Sequence, residues 1–144
     1  MSVVSICKKL DTTKYKEGIC RVGFFENSKY SGGKPVAAVA YWNEFGLGVP
    51  ERPFMRPALH QNRSKLIAML RSNYKQALKD NTDTLYVLEK FGQMVQGLIQ
   101  EQIIATIEPH NAPSTIKRKG FDKPLVDTGI MLASVRHQAE EIKK

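Results

Sequence analysis

Asp127-Thr128-Gly129 is the triplet of an aspartic-protease loop, and it is the most suggestive chemical group in this chain. That chemistry shares one proton between two carboxylates, so it needs a paired Asp and a β scaffold that forces the two together. Here the triplet stands before a short helical run, where Asp127 or Thr128 suits an N-cap, and capping is the preferred reading. His60, His110 and His137 fall at a helix start, a loop and the tail. None has a carboxylate or second histidine at ligand spacing, so they read as surface residues. Glu44 and Glu51 form an acid pair beside an aromatic turn, but no segment supplies a substrate pocket. Gly32-Gly33-Lys34 lacks the spacing of a phosphate loop and does not lead into a helix. Cys7 and Cys20 stand outside any CxxC or Cys/His cluster, so zinc is not indicated and both are expected as reduced thiols. These residues point to a chain that is not an enzyme and uses no metal or cofactor.

With its chemistry so sparse, the chain has to be read for shape. Its 144 residues suit a single domain, 1–144, large enough to bury a core. A hydrophobic fraction of 42% with 25% charged residues argues against a disordered chain. The net charge of +8 raises the prospect of nucleic acid or an acidic protein surface as partner. The N-terminal apolar run is too short for a secretory signal, and no run approaches the roughly 20 residues that span a bilayer. A cytoplasmic setting without membrane contact is the expectation.

Residues 1–18 and 138–144 read as extended or mobile ends. Residues 19–25 (ICRVGFF) are a strand by β-branched and aromatic content. Residues 26–34 form a loop broken at Gly32-Gly33, and residues 35–42 read as a second strand, pairing with the first as a long-looped antiparallel hairpin. A helix follows over 58–79 on the spacing of Leu59, Leu66, Leu70 and Tyr74. Its Arg63, Lys65, Arg71, Lys75 and Lys79 form either a solvated face or a surface for DNA or an acidic partner. Thr82 or Asp83 caps a second long helix over 84–107, with Gly92 and Gly97 available for close packing or a kink. Residues 109–120 are a basic loop, and 130–134 a short helix. In the tail, period-two alternation of Val135, His137 and Ala139 competes with continued helix. The fold class is therefore α+β: a small, mainly antiparallel sheet packed with two long helices and a short C-terminal helix.

The stretch from Val36 to Pro57 concentrates the special residues: aromatics, glycines and three prolines in eight positions. Trp42, Phe45, Arg52, Phe54, Met55 and Arg56 are interface candidates, because aromatics, Met and Arg are enriched where proteins meet. Trp42 and Phe54 have an equal alternative in packing the helix onto the sheet. Lys29 and Lys34 in one loop, and Lys117, Arg118, Lys119 and Lys123 in another, are candidates to face DNA or an acidic neighbour.

Three segments, AVAYWNEFGLGVPERPFMRPAL, IEPHNAPSTIKRKGFDKPL and PLVDTGIMLASV, resemble in order and spacing the small phage tail-completion and neck (head–tail joining) proteins, the group that includes the lambda minor tail protein Z. The resemblance spans most of residues 19–137. It implies a non-catalytic virion subunit, assembled in the host cytoplasm and placed at the neck or upper tail. Such a subunit forms a ring, by analogy hexameric, that finishes the tail or joins it to the head. Its partners would be copies of itself, head–tail connector, tail-terminator or tail-tube proteins, and passing DNA. A small basic protein that binds DNA without sequence preference is the alternative.

Overall fold

The computed structural model describes residues 17–142. Cys7 and most of the N-terminal segment lie outside them. The elements run β1 (Gly18–Phe24), α1 (Val36–Phe45), α2 (Met55–Asp80), α3 (Thr84–Ala105), α4 (Pro113–Lys119), α5 (Ile130–Ser134) and β2 (Val135–Glu141). The architecture is α+β, with a two-stranded antiparallel sheet and two long helices.

The sheet joins the two ends of the described chain. β1 pairs with β2 so that Cys20 faces Ala139, Val22 faces His137 and Phe24 faces Val135. The alternation in the tail therefore belongs to a strand, which extends through Glu141 into the segment read as a loose end. A two-stranded sheet is marginal alone and needs a partner on one face. That partner is α3. Its Val87, Leu88, Phe91, Val95, Ile99 and Ile103 are buried at three- and four-residue steps. Gly92 lets the sheet approach: a Cβ there would come within 2.6 Å of Cys20 Sγ and 2.9 Å of His137 Cβ. Asp83 caps α3, accepting from the Leu85 N–H at 2.9 Å. On the other side of α3 lies α2, antiparallel across the short turn at Asn81–Asp83, so the body is layered sheet, α3, α2.

One expected element is overturned. Residues 36–45 are a helix, not a strand, and the hairpin built on that strand is absent; β1 takes its partner from the far end of the chain. Only two of the ten residues are β-branched and three are alanine, the strongest helix former. Val36, Ala40 and Glu44 are buried at four-residue spacing, and Tyr41 stacks on Phe45 one turn on, with centroids 4.8 Å apart. A short apolar run reads equally as strand or helix until such a face is recognised. The basic segment at 113–119 is likewise a helix, begun by Pro113 at its first turn. Neither Asp127 nor Thr128 caps α5; that position is Gly129, with φ of 76°.

Candidate functional site

The turn from Glu44 to Arg56 is held by a carboxylate placed at the start of a helix. Helix α2 begins at Met55 with Phe54 at its N-cap, no side-chain cap there, and no acid in its first turn. Four N–H groups at such an end lack intrahelical partners. Glu44, at the end of α1, supplies acceptors for three N–H groups here, from ten residues upstream of the cap, and Pro57 has no N–H to satisfy. One oxygen accepts from Phe54 N at 2.7 Å and Met55 N at 2.9 Å, and the other from Arg56 N at 2.9 Å. Glu44 is 3% exposed, so a negative charge sits against the positive pole of α2 with its oxygens satisfied. The acid that could be imagined as half of a catalytic pair is thus a buried helix cap.

Arg56 completes the lock from outside. Its Nε bonds the same Glu44 oxygen at 3.1 Å, one terminal nitrogen reaches Glu51 at 2.7 Å and the Glu44 carbonyl, and the guanidinium lies 4.8 Å over the Phe45 ring. Its pKa is raised by the hydrogen bonds to Glu51 and Glu44. Gly46 ends α1 in the left-handed region, and a Cβ there would press on Glu51 at 3.0 Å, so glycine is required to close the turn. Arg52 points the other way. It is buried, and donates through Nε to Pro109 O at 2.8 Å and through a terminal nitrogen to His110 O at 2.9 Å. Burial lowers its pKa, partly offset by Asp122.

The six interface candidates therefore divide. Phe54 is fully buried, edge-on to Phe24 at 6.0 Å, and Met55 and Arg52 are also buried. They serve packing and bracing. Trp42 at 38% and Phe45 at 47% remain exposed, and Arg56 is half-exposed but committed to Glu44 and Glu51. Sequence reasoning missed their neighbours: Tyr41, Leu47 and Val49 are exposed too, so the end of α1 and its loop carry five exposed apolar side chains in nine positions. The signal was present in the four-residue spacing of Tyr41 and Phe45. The signal for Glu44 was negative: a helix whose start carries no capping residue of its own.

The basic candidates divide in the same way. Lys29 and Lys34 are exposed on a loop closed by hydrogen bonds from Tyr30 N to Lys34 O and from Val36 N to Ser28 O. Lys117 is exposed. Arg118 pairs with Asp127 at 3.2 Å, so the aspartate of the DTG triplet is half of an ion pair. The Lys119 ammonium donates to the Lys123 and Val126 carbonyls, and burial lowers its pKa. It organises the loop into which Lys123 is partly tucked. Asp122 accepts from Asn111 N at 3.0 Å and touches His110 Nδ1 at 2.7 Å; the Asn111 N–H is the main cause of its lowered pKa. His137 contacts Gln96 and Glu89 on α3 rather than standing free at the surface. Cys20 is a free, buried thiol whose pKa is pushed up to about 11, first by burial and then by Glu89.

Comparison with protein-family models, with curated proteins and with solved structures finds no match to this chain. Among the described residues no group of three His, Cys, Asp or Glu is placed to hold a metal ion, and no helix is long and apolar enough to cross a membrane.

Proposed function

We propose that this chain is a structural subunit of a tailed-phage particle, a neck or tail-completion protein that assembles as a ring, by analogy a hexamer. The observation that carries the reading is the exposed apolar patch of Tyr41, Trp42, Phe45, Leu47 and Val49 on a turn braced by Glu44. A ring needs surfaces that dock without rearranging, and large apolar side chains on a pre-organised turn meet that need at low entropic cost. The resemblance of the NEFG, RPFMRP, NAPSTIKRKG and PLVDTG segments to neck proteins supports the same reading. Its partners would be further copies, connector, terminator or tail-tube proteins, and passing DNA, within the virion. Negative-stain imaging of the purified chain, alone and mixed with connector and tail-tube proteins, tests it. Rings of uniform diameter are expected. Single small particles under every condition would count against the reading.

A second reading, a basic protein binding DNA without sequence preference, is favoured by one observation. Lys65, Arg71, Lys75 and Lys79 stand exposed along α2. A mobility-shift titration at two salt concentrations tests it. Affinity falling steeply with salt is expected of counterion release, and absence of any shift at low salt removes the reading.

A further inference from the structure

Among the described residues helix α2 is the outer layer of the body, and none of them covers part of its outer face. Leu59, Leu66 and Leu70, with Phe91 of α3, form the floor of an open cleft of about 500 Å³. Ile67 stands at the rim, 40% exposed. The other rim residues, Arg56, His60 and Arg63, fall at three- and four-residue steps on the same face. From residue 56 to residue 70 the cleft is about 21 Å long, or four turns of helix.

We propose that this cleft docks an amphipathic helix of a partner protein, with leucine-type side chains on the floor and carboxylates along the rim. The charge is the argument for an acidic partner. α2 carries six Arg and Lys residues and one acid, Asp80, which is occupied by Gln76. Of the two arginines that line the cleft, Arg56 is held by Glu44 and Glu51, and Arg63 has no ion-pair partner among the described residues, so its charge faces outward unneutralised. The floor is the argument for a helix rather than nucleic acid, because a phosphate backbone gains nothing from leucine and phenylalanine. Apolar anchors at i, i+3, i+4 and i+7 are what a helix lays into such a groove. Residues 1–16 of this chain have the wrong sign, with four lysines to one aspartate. The cleft and the braced turn meet at Arg56, which lines the one and lies over the Phe45 ring of the other.

The test is selection from a displayed library of helical peptides about 20 residues long, followed by anisotropy titration of the enriched peptides. Enriched sequences are expected to pair apolar anchors at helical spacing with Asp or Glu flanks. Ile67→Asp and Arg63→Glu, both at exposed positions, are each expected to weaken binding by at least tenfold with an unchanged melting temperature. No enrichment, enrichment of basic peptides, or binding indifferent to Ile67→Asp would overturn the proposal. So would preferential binding of duplex DNA through Arg63, or a fall in the chain's own oligomeric mass on Ile67→Asp. The last result would make the cleft a contact between copies.

Discussion

Two connecting segments of this chain, 43–57 and 109–127, the second carrying the short helix α4, have similar ingredients and opposite construction. Both hold three prolines and a high share of charged residues. The first is locked from within, by one carboxylate at 3% exposure that bonds three backbone N–H groups. The second is held by surface ion pairs of its own, His110–Asp122 and Arg118–Asp127, in which at least one partner is well exposed, and by the Lys119 ammonium on the Lys123 and Val126 carbonyls. Exposed pairs contribute little and are screened by salt, whereas orphaning buried donors is costly. The first segment should therefore act as scaffold and the second as an adjustable loop, with Arg52 as the strut between them.

Five substitutions sharpen or break that contrast. The largest effect should come inside the turn. Phe54→Ala is expected to cost about 4 kcal/mol in urea unfolding, as for a fully buried aromatic, while Phe45→Ala costs under ~0.5 kcal/mol. Equal costs would mean that the two rings do not differ in role. Glu44→Ala should come next, at about 3 kcal/mol, because it leaves the start of α2 without acceptors. Hydrogen exchange at Phe54, Met55 and Arg56 should rise before that of α3, and unchanged protection there would remove the capping role. Arg52→Ala should cost about 2 kcal/mol and free residues 109–111 while leaving the turn itself protected. Loss of order in both segments together would show that they are one unit rather than two joined by a strut.

The smallest effect should be at Asp122. Its pKa in the folded protein lies below the ordinary carboxylate value, so its contribution is complete above that value and is lost as pH falls through the depressed one. Amide exchange or NMR shifts at Asn111 should therefore change only on acidification, and Asp122→Asn should abolish the change. A transition at neutral pH that survives Asp122→Asn would assign the loop's behaviour to another group.

Much of the fold was legible in local pattern. The two long helices, the first strand and the short helix at 130–134 follow from local composition and apolar spacing, whereas the alternation in the tail left strand and helix open. What escaped was set by distance along the chain. The pairing of β1 with β2 links residues more than a hundred positions apart, and without it the nearest apolar run, 36–42, looked like the missing strand. Glu44 escaped for the same reason at shorter range, because an acid ten residues upstream of a helix has no local signature as its cap. The site candidates were legible as residue types but not as directions. Which aromatics turn inward at 42–57 depends on Glu44 and on Gly46, and both act through tertiary contacts.

The central claim is that the outward side chains of this braced turn join one copy to the next. Light scattering after size-exclusion chromatography tests it most directly, on the wild-type chain and on a Trp42→Ser/Phe45→Ser variant at matched concentration. The account predicts a single oligomeric mass for the wild type and a monomer for the variant, with the same melting temperature for the isolated fold. A wild-type monomer, alone and mixed with connector or tail-tube proteins, or a variant that keeps the full oligomeric mass, would contradict it.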